Sequence, residues 1–242
     1  MSSIHIGTSG WYYQEWTGTF YPSDLDKSDW LPFYAQHFTT VEINSSFYRL
    51  PFENMVKGWR NKAPKGFVYA VKGNRRITHF RKLEGVKEDS EIFIRRVSGL
   101  KEHLGPILWQ LPPNLQKDTG RLDKFLATLP VNMRHAVEFR HPSWLDDKVL
   151  EILRKHGVAS VSVSSLKMPV DFAVTADFIY FRFHGLEGGY AHDYSSRELQ
   201  PWADQIQRAK DKKIDAYVYF NNDSNTRAPK NARDLMKLIR IC

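Results

Sequence analysis

Along the whole chain, short runs of β-forming residues alternate with stretches in which apolar residues recur at helical spacing. The β runs occupy residues 4–9 (IHIGTS), 40–44 (TVEIN), 68–73 (VYAVKG), 107–111 (ILWQL), 135–140 (HAVEFR), 159–164 (ASVSVS), 178–184 (FIYFRFH) and 216–221 (AYVYFN). Between them lie amphipathic segments with recognisable ends. Ser195 and Glu198 form a capping box ahead of Leu199, Trp202, Ile206 and Ala209. The stripe Phe93, Val97, Leu100, Leu104 is expected to stop at Gly105, and the stripe Val149, Leu150, Leu153 at Gly157. A last helix is expected over roughly residues 229–239. The connection from the sixth to the seventh run is short, contains Pro169, and predicts a degenerate helix or none.

Strict β/α alternation implies a parallel sheet, either open and doubly wound or closed as a (β/α)8 barrel. Eight runs favour the barrel, and 242 residues match the ~250 typical of that architecture. GTSGWYY after the first run is not the G-x-G-x-x-G turn of a dinucleotide fold. The reading is therefore α/β, a single TIM-type barrel domain over residues 1–242, with no internal repeat or linker.

Alternate residues of a strand face opposite sides. Val41 and Ile43, Val137 and Phe139, and Phe181 and Phe183 are the apolar sets expected to face the helices. Their neighbours then face the barrel axis: Glu42 and Asn44, Glu138 and Arg140, Arg182 and His184. Lys72, Gln110, Ser162, Ser164 and Asn221 occupy similar late positions, with Thr8 and Ser9 ending the first run. The polar residues thus gather at the C-terminal ends of the strands, where barrels of this type carry their active sites. A ring of this kind is either self-neutralised or open to ligand and water, because an unpaired buried charge costs several kcal/mol.

Charge sharpens the picture. The net charge is +8, and the nine basic residues between Lys57 and Lys82, with no acidic residue among them, exceed it. An anionic small molecule or nucleic acid is the expected partner. No signal-peptide pattern follows Met1 and no apolar run reaches membrane-spanning length, so a soluble, cytoplasmic protein with no membrane association is expected. The only cysteine, Cys242, excludes a disulfide framework and a thiolate-rich metal site, leaving at most a cross-link between two chains. The oligomeric state is not legible.

GTSGWYYQEWTGTFYP, FTTVEINSSFYRLP, VKGNRRITHFRKL, LGPILWQLPP, EFRHPSW, FRFHG and YVYFNNDSNTRAPKNA follow one another in order from Ile4 to about Leu238. Together they resemble the successive motifs of the DUF72 family, also called YecE-like. The resemblance implies a TIM-type barrel and no settled activity. The motif residues it carries over are Thr8, Ser9, Trp11, Glu42, Asn44, Lys72, His79, Gln110, Glu138, Arg140, His141, Trp144, Arg182, His184, Asn221, Asn222 and Asp223.

The favoured chemistry is acid/base catalysis on a phosphorylated or nucleic-acid-derived substrate. Arg140 and Arg182 are expected to hold the anion, Glu42 or Glu138 to move the proton, and His184 and Asp223 to complete the catalytic set. Lys72 is read first as counter-ion to a glutamate and second as a desolvated amine able to form a Schiff base. Thr8, Ser9, Trp11, Tyr12, Asn44, His79, Gln110, Asn221 and Asn222 are expected to line the ligand. Gly188 and Gly189 would be the pivots of a lid that closes Tyr190 and Tyr194 over it. Arg75 and Arg76, in a loop after the third strand, raise the alternative of a non-catalytic barrel binding single-stranded nucleic acid.

No cofactor is implied. The other alternative, a divalent-metal isomerase or nuclease built on Glu42, Glu138 and Asp223, must contend with the cations at the same mouth.

Overall fold

The computed structural model describes residues 2–240; Cys242, and with it the cross-link, lies outside them. Eight parallel strands form one sheet: β1 (Ile4–Thr8), β2 (Thr40–Ile43), β3 (Val68–Lys72), β4 (Leu104–Gln110), β5 (His135–Glu138), β6 (Ala159–Ser164), β7 (Phe178–Phe183) and β8 (Asp215–Phe220). Neighbours pair in the order β1-β8-β7-β6-β5-β4-β3-β2, and a parallel bridge between Ser9 and Glu42 brings the two end strands together. The result is a nearly closed barrel. Gly7 permits that closure, because a Cβ there would stand 2.2 Å from the Thr40 carbonyl oxygen of the facing strand.

The helices are α1 (Trp30–Tyr34), α2 (Ser45–Tyr48), α3 (Glu53–Lys62), α4 (Lys87–Val97), α5 (Thr119–Leu126), α6 (Asp147–Lys155), α7 (Ser196–Asp211) and α8 (Arg227–Leu238). The reciprocal capping box of Ser195 and Glu198 opens α7, and Leu199, Trp202, Ile206 and Ala209 are its buried face. No helix intervenes between β6 and β7. The stripe running to Leu104 does not hold: after Val97 the chain tightens into a 3-10 segment, Lys101 takes φ 54°, and Leu104 already begins β4. The segment 74–84 is not a plain loop either, since Arg76–Phe80 form a single π-helical turn.

Parity divides the barrel as expected for most strands. Val41, Ile43, Val137, Phe139, Phe181 and Phe183 join the layer packed under the helices. Inside lies a second cluster that includes Ala70, Leu108, Ala136, Val161, Val163, Tyr180, Tyr217 and Tyr219. β6 is the exception. Its valines point inward, so Ser162 and Ser164 take the helix side, where Ser164 Oγ meets Tyr194 OH at 2.8 Å. Thr8 is a second correction: its hydroxyl bonds Tyr34 OH at 2.9 Å and the Gly10 carbonyl at 2.6 Å, behind β1.

Candidate functional site

Above the inner tyrosines lies one charged layer. Arg182 bridges two strands: Nη2 donates to Glu42 Oε1 at 2.7 Å and Nη1 to Glu138 Oε2 at 2.6 Å. Both carboxylates are 0 % exposed and the guanidinium residue only 1 %, so this pairing is the floor of the mouth and not its rim. Tyr180 OH donates to Glu42 Oε2 at 2.6 Å and Ser9 Oγ to Glu42 Oε1 at 2.8 Å.

Glu138 Oε1 is more crowded still, with Gln110 Nε2 at 2.8 Å, Arg140 Nη1 at 2.7 Å and His184 Nε2 at 3.0 Å. Burial alone would raise the Glu138 pKa, but Arg182, His184 and Arg140 hold it well below the usual carboxylate range. The His184 pKa is also lowered, chiefly by burial, which disfavours its charged form. With Nε2–H given to Glu138, its Nδ1 accepts from Asn221 Nδ2 at 3.2 Å, which fits a neutral ring with both nitrogens engaged.

Two of the predicted roles are therefore revised. Glu42 and Glu138 have both carboxylate oxygens engaged by donors, so they serve as hydrogen-bond acceptors and not as the exchangeable acid/base groups expected. Lys72 is not the counter-ion of a glutamate: among the described residues its Nζ makes no ion pair or hydrogen bond, and it lies 4.3 Å from the centroid of the Phe47 ring. Burial, and then Arg182, lower its pKa to about 8. His79 packs on the same Phe47 ring, 4.8 Å between centroids, and burial, then Lys72 and Arg140, lower it to about 4.

Lys72, Arg140, Gln110, Asn44, His79, Asn221 and Asp223 are each partly exposed and form the accessible tier. The Asn44 Oδ1 atom is buried with no partner among the described residues. Asp223 is raised by burial, and its neighbour Tyr13 donates its hydroxyl to the Ser9 carbonyl at 2.6 Å. Beside the mouth a recess of about 350 Å³ is lined by Trp11, Tyr12, Tyr13, Asn44, Met55 and Trp59. A larger recess of about 450 Å³, bounded by Leu126, Arg134, His135 and His156, opens at the opposite end of the barrel and holds none of these groups.

Other expected ligand contacts do not reach the mouth. Asn222 is 0 % exposed and spends its amide on the His192 carbonyl and Asn231 Oδ1, both at 2.8 Å, rather than on a ligand or a helix cap. Tyr194 is 3 % exposed, stacked edge-on to Phe183, and bonded to the Gly185 amide at 3.0 Å, so it belongs to the core and not to a lid. Tyr190 is 56 % exposed. Arg76 turns away to pair with Asp89 at 3.1 Å, whereas Arg75 lies 5.7 Å from the Tyr48 ring and 5.3 Å from the Phe80 ring.

His141 and Trp144 shape the fifth loop: Trp144 Nε1 donates to the Leu115 carbonyl at 2.7 Å. No group of three His, Cys, Asp or Glu residues able to hold a metal occurs among the described residues. The oxygens of Glu42 and Glu138 already face cations, and this donor set does not fit the metal-dependent alternative.

Sequence reasoning missed Phe47 and Tyr180. Tyr180 shares the parity of Arg182 on β7 and was open to the same argument; Phe47 follows β2 in a short helix and carried no signal.

A profile of the family described as "Protein of unknown function DUF72" matches residues 5–241. The chain belongs to the DUF72 family. A crystal structure of a DUF72 family protein from Thermotoga maritima superposes on it with a TM-score of 0.89 at 31 % identity, covering 98 % of this chain and 99 % of that one. The UPF0759 protein YunF of Bacillus subtilis is 26 % identical across 98 % of this chain and 95 % of its own length. The UPF0759 protein YecE of Escherichia coli is 25 % identical across 98 % and 93 %. None of these names carries an activity, so the function of this DUF72 chain must be argued from its own mouth. No helix among its described residues is long and apolar enough to cross a membrane.

Proposed function

We propose that the protein is an enzyme acting on a phosphorylated or nucleic-acid-derived anion by acid/base chemistry at the C-terminal mouth of the barrel. The observation that carries this reading is the unequal charge of the two tiers. Below, Arg182 is shared between two carboxylates. Above, Lys72 has no anionic partner among the described residues, and the carboxylate that Arg140 meets is Glu138, which Arg182 already pairs. A cation left desolvated without a partner is costly, and an anionic ligand supplies the missing charge. With the glutamates committed as acceptors, proton transfer falls to Lys72 and His79, whose lowered pKa values leave a lone pair available near neutrality.

The test is a mass-spectrometric turnover screen of defined phosphorylated sugars and nucleotides, run beside calorimetry with inorganic phosphate. The wild-type protein should bind phosphate and deplete one member of the panel, and Arg140→Ala should lose both. Phosphate binding that Arg140→Ala leaves unchanged, or a panel wholly untouched, would sink this reading.

One feature favours a second reading, a barrel that binds single-stranded nucleic acid without reacting. Arg75 lies against the rings of Tyr48 and Phe80, residues that are 65 % and 69 % exposed, and bases stack on such surfaces. Under it, oligonucleotide affinity falls steeply with salt and drops in Arg75→Ala; affinity indifferent to salt rules it out.

A further inference from the structure

We infer that Lys72 is a carbonyl-reactive amine, and that the anionic substrate of the mouth carries an aldehyde or ketone which forms an imine with Lys72 Nζ. The inference rests on the anion site proposed above and adds the electrophile it holds. Three placements support it. Lys72 ends β3 with the parity of Ala70, which faces the barrel interior, and pairs in register with Leu108 of β4, so its amine enters from the barrel wall into the accessible tier. Its Nζ lies over the Phe47 ring at 4.3 Å and has no carboxylate partner among the described residues, so no ion pair must break before the nitrogen can attack. His79 packs on that same ring, with its Nδ1 2.9 Å from Thr78 Oγ1, so imidazole and amine share one aromatic surface, where the imidazole serves the proton movements of dehydration.

The step balances without any further reactant. The ammonium first gives one proton to the imidazole or solvent. The nitrogen lone pair then forms a bond to the carbonyl carbon while the C=O π pair moves to oxygen, which takes up a proton to give a carbinolamine. The C–O bond breaks, and oxygen leaves as water carrying two of the three original ammonium protons, while the iminium nitrogen keeps the third. The lowered amine pKa, with Arg182 and Arg140 opposing the charge and Glu138 and Glu42 supporting it, makes the free base accessible near neutrality.

The experiment treats the full chain with dihydroxyacetone phosphate or dihydroxyacetone in the presence of sodium cyanoborohydride, followed by peptide mapping. Reductive labelling is expected at Lys72, roughly ten-fold or more faster with the phosphate ester, and rising as the pH approaches about 8. Lys72→Arg, which keeps the cation and removes the nucleophile, should melt as a folded protein and show no label on that peptide. Arg140→Ala should lose the advantage of the phosphate ester while Lys72 still reacts. Labels confined to exposed lysines, or equal labelling of wild type and Lys72→Arg, overturn the inference. If inorganic phosphate binds and Lys72 stays unlabelled, the imine falls and the anion site stands. If Lys72 is labelled with no preference for the phosphate ester, the imine stands and the anion site falls.

Discussion

Glu138 and Arg182 meet at 2.6 Å with both residues sealed from solvent, on strands that are not neighbours in the sheet. The same guanidinium reaches Glu42 at 2.7 Å, so one cation joins β2, β5 and β7 across the barrel. Breaking a buried pair by removing one partner is far more damaging than never having built it. Arg182→Met should therefore lose about 3 to 5 kcal/mol, measured by urea denaturation. The triple change Glu42→Gln, Glu138→Gln, Arg182→Met should recover most of that loss. A single variant as stable as wild type would mean that the two carboxylates are not held as anions by Arg182.

Lys72 presents the opposite case, a cation that folding disfavours. Burial and Arg182 lower its pKa from 10.5 to about 8, so the unfolded chain binds more protons between those values. Stability of the wild type should accordingly rise with pH across that window, and the penalty is complete below about 8. Lys72→Met is expected to be more stable than wild type by about 1 kcal/mol at neutral pH, with the gap closing toward pH 10.5 and with loss of activity. A variant less stable than wild type at neutral pH would indicate that the contact with Phe47 outweighs desolvation.

Much of the barrel was legible because strand period and helix period differ and the outward residues are nearly all apolar. Glu42, Glu138 and Arg182 could be placed together from parity alone, since a single assignment of Val41, Val137 and Phe181 to the helix side forces it. The same argument failed at β6, where ASVSVS offers serine or valine to the interior with no larger apolar residue to decide, and the structure takes valine. The ligand-lining expectations for Tyr194 and Asn222, which rested on loop position and not on parity, also failed. Each lies in or beside a loop, outside any repeating pattern, and each is claimed by partners distant in sequence: Ser164 and Gly185 for the tyrosine, His192 and Asn231 for the amide. Proton roles were least legible. A glutamate at a strand end reads as a base until its four donors are known.

Acid should act on the fold through the buried histidines, His135 foremost, before it reaches the carboxylates. His135 is 3 % exposed, its Nδ1 accepts from Trp109 Nε1 at 3.2 Å, and burial lowers its pKa to about 4. The unfolded chain binds this proton below its ordinary 6.5 while the folded chain does not, so stability is full above pH 6.5 and declines as the pH falls toward about 4. The contribution is up to roughly 3 kcal/mol. His135→Gln should reduce the slope of the stability profile over that window, with His79 and His184 carrying the remaining slope, and leave the steeper loss below it, where Glu138 must be protonated. Parallel profiles for wild type and variant in that interval would remove His135 as the cause.

The segment after β7 is held as a set of tight turns, which determines how it should respond to substitution. Gly185 has φ +87°, and a Cβ there would fall 1.7 Å from the Gly189 carbonyl oxygen. Gly189 in turn donates its amide to the Leu186 carbonyl at 2.8 Å, and Ala191 to the Gly188 carbonyl at 3.1 Å. Gly188 and Gly189 are thus bonded members of a folded loop, unlike the free pivots expected of a swinging lid. Gly185→Ala should cost roughly 2 kcal/mol or more, through left-handed backbone and steric overlap together. Hydrogen exchange is the measurement that separates the two pictures. A fixed loop protects the amides of Gly189 and Ala191 in wild type and loses that protection in Gly185→Ala, whereas a lid that opens freely exchanges them rapidly in both proteins.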